Sequence, residues 1–337
     1  MPDRPRLTPA IADVRRAVRG ALDAAGLNAN ELILVACSGG ADSLALAAAT
    51  AFEAPRAELR AGAVVVDHQM QPGSAQVAAT VAERLRALGL APVEIRTVEV
   101  GEVGGPEAAA RDARYAALTE AAIEFGAAKV LLGHTLNDQA ETVLLGLARG
   151  SGARSLNGMA ADSGNYLRPL LAITRETTEA FCADSGLEVW HDPMNKDERF
   201  SRVRVRHNLL PALETELGPG VAEALARTAA QMREDDEVLT QLADEAFERV
   251  AKLQATQINL EVAEFAKLPL AIRHRVVQRA AETLGAPMLA RVHIRGVDDL
   301  VDSWHGQKPL TLPGIRVERM GDQIALKTTK TLKPGAC

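Results

Sequence analysis

The sequence predicts an α/β protein, in which a doubly wound parallel sheet is followed by a second, mainly helical C-terminal domain. Three observations favour this class. Short apolar runs alternate with longer amphipathic stretches between residues 32 and 149. The first run, LILVA, is apolar throughout, as is typical of a central parallel strand covered on both faces. From about residue 218 the strand signals stop and helical periodicity dominates.

Strands and helices alternate along the first domain. A helix is predicted to begin near Thr8 and Pro9, residue types that suit a helix N-terminus. Strands are then predicted at 32–36, 63–66, 93–98 and 129–133, and helices at 43–52, 75–88, 106–125 and 135–149. Ligands of such sheets bind beyond the carboxyl ends of the strands. Asp67, His68 and His134 follow predicted strands, so we expect them at that edge.

The second domain is predicted to start at LGPG, residues 217–220, which divides 1–217 from 218–337. Apolar residues then recur every seven positions, as in a long amphipathic helix: Leu225, Met232, Leu239, Ala246 and Leu253. Asp235 and Asp236 interrupt this seam, which favours packing on the same domain over a coiled coil. Residues 310–327 predict a small hairpin with its turn at Gly321 and Asp322.

The overall charge gives no general sign of nucleic-acid binding. The chain has 337 residues and a net charge of -6, so a nucleic acid would need a local basic patch. Residues 265–295 predict such a patch, because they hold six basic side chains and one acidic one. A solvated helical face is the alternative interpretation.

Composition also bears on location and redox chemistry. No apolar run approaches the roughly 20 residues that span a bilayer, and the N-terminus lacks the apolar core of an export signal. We therefore expect a cytoplasmic protein with no membrane partner. Cys37, Cys182 and Cys337 form no CxxC pair, which argues against a disulfide framework, a zinc ribbon or an iron–sulfur cluster.

The most informative segment is VACSGGADSLAL, residues 35–46, in which the first strand leads into a turn and a helix. Gly39 and Gly40 allow a close approach of the backbone, and Ser38 contributes an oxygen, as do Asp42 and Ser43. The unpaired N–H groups at the start of the helix would face the same turn. We therefore expect a polyphosphate ligand; a turn with no ligand is the alternative.

SGGADS resembles the PP-loop of ATP pyrophosphatases, enzymes that join AMP to an acceptor and release pyrophosphate. The resemblance implies that ATP is the cofactor and that Asp42 holds Mg²⁺, which would neutralise the leaving pyrophosphate. The residues that it assigns to ATP are Ser38, Gly39, Gly40, Ala41, Asp42, Ser43, Asp67 and His134.

Three further segments carry polar side chains in pairs or clusters. Arg111 and Arg114 share one face of a predicted helix, as do Asp138 and Glu141 on a later one. The alternatives are an ordinary salt-bridged helix for the first pair and helix-dipole stabilisation for the second. Four arginines within eight residues favour phosphate contacts, although a solvated run is also open: Arg199, Arg202, Arg204 and Arg206.

In chain order, SGGADS, EAAARDARY, GHTLNDQAETVLLGLARGSGARSL, RPLL and SRVRVRHNLLP resemble the tRNA(Ile)-lysidine synthetase family, in its short form, over roughly residues 30–215. The resemblance implies that ATP adenylates the C2 oxygen of the wobble cytidine in the CAU anticodon of isoleucine tRNA. The side-chain amine of L-lysine then attacks C2, and AMP leaves.

The same resemblance implies roles for the clustered side chains. Arg111 or Arg114 would stabilise the α-phosphate or position the cytosine. Asp138 and Glu141 would capture lysine or accept its proton, and the four clustered arginines would meet the tRNA backbone. A PP-loop tRNA thiolase, an amide-forming ligase and a non-catalytic nucleotide sensor remain the alternatives, and a homodimer is an assembly that the sequence leaves open.

Overall fold

The computed structural model of the chain describes residues 7–69, 71, 73–101, 105–150 and 152–329. They fall into two compact units, and the chain passes from one to the other after residues 148, 157 and 229. The first comprises Met1–Ala148 with Gly158–Ala229, and the second comprises Arg149–Asn157 with Ala230–Cys337. We call them the sheet unit and the C-terminal unit.

The sheet unit is built on a six-stranded sheet in the order β3-β2-β1-β4-β6-β5. Its strands are β1 (Leu32–Ala36), β2 (Arg60–Asp67), β3 (Val93–Thr97), β4 (Ala127–Leu132), β5 (Asp162–Ser163) and β6 (Tyr166–Leu167). All neighbouring strands are parallel except β5, which pairs antiparallel with β6 at the edge. The central position of β1 explains its uninterrupted apolar sequence.

Helices cover both faces of this sheet, as the sequence predicts. They are α1 (Pro9–Ala24), α2 (Ala41–Glu53), α3 (Ser74–Ala87), α4 (Pro106–Phe125), α5 (Leu136–Arg149), α6 (Arg175–Asp184), α7 (Ser201–Arg204) and α8 (Leu210–Leu217). A π-helical turn, Val205–Leu209, joins α7 to α8, and short 3-10 turns lie at Ala54–Ala57, Ala153–Leu156 and Pro193–Lys196. One core cluster joins α1, α2, α3 and α6 on one face, whereas α4 packs on the other face.

The order of the strands reverses at β1, because β2 and β3 follow on one side of it and β4 and β6 on the other. Ala36 at the end of β1 is paired with Val64 of β2 on one side and with Leu132 of β4 on the other. In doubly wound sheets, the crevice beyond the carboxyl ends of such neighbouring strands is the usual ligand site. The loops that follow β1 and β4 therefore position the site described below.

The C-terminal unit contains a larger sheet than the sequence predicts. Five antiparallel strands lie in the order β7-β8-β11-β10-β9. They are β7 (Ala251–Gln254), β8 (Gln257–Glu261), β9 (Leu310–Leu312), β10 (Ile315–Met320) and β11 (Gln323–Thr328). The helices are the end of α9 (Val221–Val250), α10 (Val262–Ala266), α11 (Leu270–Thr283) and α12 (Arg291–Asp302). The hairpin with its turn at Gly321 and Asp322 is present as β10 and β11.

Two details of the sequence interpretation differ from the structure. Leu253, placed on the long helix by its spacing, lies in β7 and is 57% exposed. The strand is mostly exposed, so it carries no alternating apolar signal. The unit boundary falls after Ala229, not at 217–220, because Ala222 in the first turns of α9 packs with Leu136 and Leu210 of the sheet unit. No helix among the described residues has the length and apolarity needed to cross a membrane.

Candidate active site

The loop between β1 and α2 depends on one glycine. Gly39 has φ +88°, a conformation that side chains rarely adopt, and a Cβ built on it would lie 2.6 Å from Cγ2 of Val81. Its carbonyl oxygen accepts a hydrogen bond from the backbone N–H of Trp190 at 3.0 Å. The loop is therefore fixed against α3 and against the segment after α6.

A serine side chain closes the same loop. The Ser43 hydroxyl accepts from the Ser38 N–H at 3.2 Å and donates to the Gly40 carbonyl at 3.0 Å. Gly40, the N-cap of α2, provides no side-chain cap, so the first N–H groups of the helix are left for another acceptor. This combination of a tight turn and an uncapped helix N-terminus suits an anion.

A cleft of about 670 Å³ opens in front of this loop, at the carboxyl ends of the strands. Its volume is in the usual range for small-molecule sites. Predicted site residues that line it are Ser38, Gly40, Ala41, Asp42, Ser43, Asp67, Arg114, His134, Asp138 and Arg206. Gly39, Arg111, Glu141, Arg199, Arg202 and Arg204 do not line it.

Three carboxylates of the sheet unit, those of Asp42, Asp138 and Glu141, meet three guanidinium groups. Glu141 is fully buried and accepts from Arg206 Nε at 2.7 Å and from Arg202 Nε at 2.9 Å. Arg206 also reaches Asp138 Oδ1, at 3.2 Å. Arg202 and Arg206 therefore point inward to acids, instead of forming a solvated row.

Arg175, which the sequence analysis did not single out, completes this acid–arginine cluster. It ion-pairs with all three acids, at 3.5 Å from Asp42, 3.3 Å from Asp138 and 3.5 Å from Glu141. Thr178, one turn later on α6, donates a hydrogen bond to Asp42. A local signal marks only the start of α6, where Thr174 accepts from the Thr177 N–H. The contacts themselves depend on tertiary packing.

The acids differ in pKa because their surroundings differ. Burial raises the pKa of Asp42, in spite of its contacts with Thr178 and Arg175. Burial also acts on Asp138, but Arg175 and Arg202 outweigh it and hold the pKa of Asp138 below its usual range. One oxygen of Asp138 accepts from the N–H and the hydroxyl of Thr135, at 2.8 and 3.0 Å. This contact caps the start of α5 with hydrogen bonds.

Three nitrogen-bearing side chains also line the cleft. Nε of Arg114, Nδ1 of His68 and Nδ1 of His134 are buried without a hydrogen-bond partner among the described residues. Burial lowers the pKa of His68, and that of His134 to about 3, so both rings are neutral near pH 7. Buried polar atoms are normally paired, so these nitrogens point to a polar ligand.

The remaining arginines lie outside the cleft. Arg111 is exposed and lies over the ring of Tyr115, with its Nη2 3.3 Å from the phenol oxygen. Arg199 is 85% exposed and pairs with Asp197. Arg204 donates to the backbone carbonyls of Glu198 and Arg199. Of the six arginines that the sequence singles out in the sheet unit, these three are the exposed ones.

Among the described residues, no group of three or more histidine, cysteine or acidic side chains is arranged to hold a metal ion. Asp42 fits a magnesium site of a different kind, in which one carboxylate and the phosphates of a nucleotide share the ion. Gly133 lies close to the same residue, because a Cβ there would lie 3.1 Å from the backbone of Asp42, so the end of β4 packs directly against the start of α2. The residues present therefore fit a metal–nucleotide complex.

Comparison with protein families gives two matches. The PP-loop domain family matches residues 13–213, and the TilS substrate binding domain family matches residues 260–323. The first match covers the cleft and the acid–arginine cluster, and the second lies within the C-terminal unit.

The identity and coverage of two relatives show which family the chain belongs to. The tRNA(Ile)-lysidine synthase of Leifsonia xyli is 58% identical over 86% of this chain and 87% of its own length. That of Thermobifida fusca is 54% identical over 93% of this chain and 96% of its own. The chain belongs to the tRNA(Ile)-lysidine synthase family. Membership confirms the family predicted from the ordered motifs, and its PP-loop domain implies that ATP is used.

One solved structure has a similar fold over two thirds of the chain. The U34-tRNA thiolase NcsA from Methanococcus maripaludis, solved with its [4Fe-4S] cluster, has a TM-score of 0.56 and covers 67% of this chain and 80% of that one. Sequence identity is 19%, so the likeness concerns the fold alone. The predicted α/β class is confirmed.

Proposed function

We propose that this lysidine synthase family member ligates L-lysine to C2 of the wobble cytidine in the CAU anticodon of isoleucine tRNA. The reaction consumes ATP and proceeds through an adenylated tRNA, with release of pyrophosphate and then AMP. The observation that carries the proposal is the cleft itself, where an uncapped helix N-terminus and a cluster of acids and arginines line one cavity.

ATP is proposed to bind with its phosphates on the loop between β1 and α2. The N–H groups at the start of α2 and the hydroxyl of Ser38 meet the phosphates, while Ser43 keeps the loop closed through its bonds to Ser38 and Gly40. Gly39, Gly40 and Ala41 form the backbone of this cradle. Asp67 and His134 complete the site from the ends of β2 and β4. Bound at Asp42, Mg²⁺ would neutralise charge on the leaving pyrophosphate.

Arginines are proposed to stabilise the first transfer. Arg114 reaches the cleft and has an unpaired buried nitrogen, so it is suited to the charge that develops on the α-phosphate. Arg111 is exposed on the preceding turn of α4 and is better placed for the tRNA. The C2 oxygen of the cytidine attacks the α-phosphorus, and the bond to the β,γ-pyrophosphate breaks.

Asp138 is the acid proposed to hold lysine. It lines the cleft and has a low pKa, so it stays ionised and binds an ammonium group better than it removes a proton. Glu141 is fully buried behind it and acts through the arginines that it pairs with. The amine of lysine, having lost a proton to solvent, then attacks C2; the C2–oxygen bond breaks with its electron pair going to the phosphate of AMP, and a second proton leaves the new C–N nitrogen to solvent.

The tRNA is proposed to contact both units. Arg199 and Arg204 are surface arginines of the sheet unit, whereas Arg202 and Arg206 would meet phosphate only by leaving their acids. In the C-terminal unit, the predicted patch at 265–295 is smaller than its charge count indicates. Arg273 and Arg275 are largely buried in ion pairs with Asp302 and Asp236, whereas the exposed members are Lys267, Arg279, Arg291 and Arg295.

The thiolase alternative is disfavoured by the cysteines. Burial raises the pKa of the Cys37 thiol and raises that of Cys182 to about 12, so neither is a thiolate near pH 7. Cys337 lies outside the described residues. A sulfur carrier needs a reactive thiolate, which these two side chains do not provide.

One incubation tests the proposed function against its rivals. The protein is mixed with ATP, Mg²⁺, bulk bacterial tRNA and radiolabelled lysine, and label in the tRNA is counted. Label that depends on both ATP and lysine is the expected result. Incorporation of sulfur from a labelled donor, with no lysine in the tRNA, would support the thiolase.

Light scattering on the purified protein tests whether the chain forms a homodimer.

A further inference from the structure

Arg175 is anchored by its backbone and exposed to the cleft by its side chain. It is the first residue of α6, and its N–H donates to Oδ1 of Asn137 at 2.9 Å. Asn137 directly precedes Asp138 on α5. The anchor does not involve the guanidinium, so the side chain can be changed without removing this link between α6 and α5.

The guanidinium of Arg175 forms ion pairs with three acids and donates a hydrogen bond to one of them, Asp138. Nε faces Asp42, Nη2 faces Asp138 and Nη1 faces Glu141, at distances of 3.3 to 3.5 Å. By comparison, Arg206 Nε lies 2.7 Å from Glu141. Strong charge-assisted hydrogen bonds are about 2.7–2.9 Å long, so the contacts of Arg175 are the weaker ones in the cluster.

The three acids depend on Arg175 to different degrees. Asp138 and Glu141 each have a second ion pair, with Arg206. Asp42 has no second ion pair among the described residues, and Thr178 is its other side-chain contact. Loss of the Arg175 contact would therefore change the charge balance most at Asp42, which is also the proposed magnesium carboxylate.

We propose that Arg175 is a positioning residue that serves as a built-in counter-ion for Asp42. It neutralises Asp42 while the cleft is empty, releases it when a divalent cation arrives with ATP, and keeps its contacts with Asp138 and Glu141. This inference rests on the proposed function, because it takes Asp42 as the metal carboxylate. Its consequence is that the guanidinium and the divalent cation compete for one carboxylate.

Competition for Asp42 and a purely structural role predict opposite changes in the affinity for a divalent cation when Arg175 is lost. If Arg175 only kept the cleft in shape, its loss would weaken binding of a divalent cation. If it competes for Asp42, its loss strengthens that binding, because a cation no longer has to displace a positive charge. The affinity for the cation, measured apart from turnover, separates the two roles.

The experiment compares Arg175→Gln, Arg175→Lys and the wild type. Mn²⁺ is titrated into each protein with a saturating non-hydrolysable ATP analogue, and free Mn²⁺ is measured by electron paramagnetic resonance. We expect Arg175→Gln to bind Mn²⁺ about threefold tighter or more, and Arg175→Lys to stay within about twofold of the wild type. Arg96→Gln, which removes an ion pair with Glu124 away from the cleft, is the matched control and should not change Mn²⁺ binding.

Equal or weaker Mn²⁺ binding by Arg175→Gln would overturn the proposal. If that variant does not fold, a crystal structure of the wild type with Mn²⁺ and the analogue decides. Separation of Arg175 from Asp42 with its other two ion pairs kept supports the proposal, and an intact Arg175–Asp42 pair refutes it. Lysine transfer to tRNA is assayed in parallel: if transfer is absent but Arg175→Gln still binds Mn²⁺ more tightly, only the proposed function fails.

Discussion

At the scale of single residues, the three acids of the cluster differ in how much of each side chain is exposed. The side chain of Asp42 is 24% exposed, that of Asp138 is 10% exposed, and that of Glu141 is fully buried. The exposure of these side chains matches the proposed roles. Asp42 has to reach a metal–nucleotide complex, whereas Glu141 only supports the arginines that it pairs with. The two predictions that follow separate these roles.

Asp42→Asn tests the magnesium role. The amide keeps the size of the side chain but removes the negative charge, so we expect pyrophosphate release to be abolished while the fold is retained. Pyrophosphate is measured with a coupled assay and the fold by circular dichroism. Asp184→Asn, an exposed substitution on α6, is the control and should leave both unchanged. Normal turnover by Asp42→Asn would contradict the assignment.

Asp138→Asn and Glu141→Gln test which acid meets lysine. Because charge-assisted contacts contribute about 1.5 kcal/mol or more, we expect Asp138→Asn to raise the KM for lysine about tenfold or more, with a smaller change in the KM for ATP. Glu141→Gln should instead lower the free energy of unfolding by about 3 kcal/mol, since it leaves buried arginines unbalanced. Steady-state kinetics and urea unfolding measure the two effects. Equal changes in both KM values would argue against lysine capture by Asp138.

His134 predicts a pH dependence of stability. Its pKa is about 3 in the folded protein and 6.5 as the ordinary value. Between these values the unfolded chain binds the proton and the folded chain does not, so the free energy of unfolding falls as the pH drops below 6.5. The slope is at most about 1.4 kcal/mol per pH unit. In urea unfolding at pH 7.5, 6.5 and 5.5, His134→Asn should show a shallower fall than the wild type, and an equal fall would contradict the burial of His134.

At the scale of elements, the turn between β1 and α2 is held by sterics as well as by hydrogen bonds. Gly39 and Gly73 both have positive φ values, +88° and +83°, and so provide a matched pair. A Cβ on Gly39 would meet Val81, whereas a Cβ on Gly73 would meet nothing within 4 Å. The two glycines therefore separate backbone strain from overpacking.

Gly39→Ala should lower the free energy of unfolding by about 2–4 kcal/mol, from strain and overpacking together, and should weaken ATP binding. Gly73→Ala should cost about 1 kcal/mol, from strain alone. Thermal unfolding and nucleotide titration measure both variants. Val81→Ala combined with Gly39→Ala should recover part of the loss, and no recovery would mean that Val81 is not the obstacle.

Elements of the sheet unit could be predicted because their signals are local. The bounds 106–125 predicted for α4 are those observed, and Thr8 caps α1 by accepting from the Ile11 N–H. Likewise, the residues of the β1–α2 turn are next to each other in sequence. Arg175 could not be predicted, because its partners Asp42 and Glu141 are on α2 and α5 and meet it only after the sheet has formed.

At the scale of the whole molecule, the charge patterns were the least predictable feature. A short stretch of sequence shows how many basic residues it has, but their ion-pair partners lie outside that stretch. Arg275 pairs with Asp236, which is 39 residues away, and Arg273 with Asp302, which is 29 residues away. The five-stranded sheet was missed for a similar reason, because its short strands are defined by pairing between segments distant in sequence.

The central claim is that the cleft cleaves ATP between its α- and β-phosphates and transfers AMP to tRNA. The most direct test is to incubate the protein with ATP labelled on the α-phosphate, Mg²⁺, lysine and isoleucine tRNA with a CAU anticodon, and to separate the products by thin-layer chromatography. We predict labelled AMP, with an equal amount of pyrophosphate measured by a coupled assay on the same reaction, both formed only when this tRNA is present. ADP in place of AMP would contradict the account.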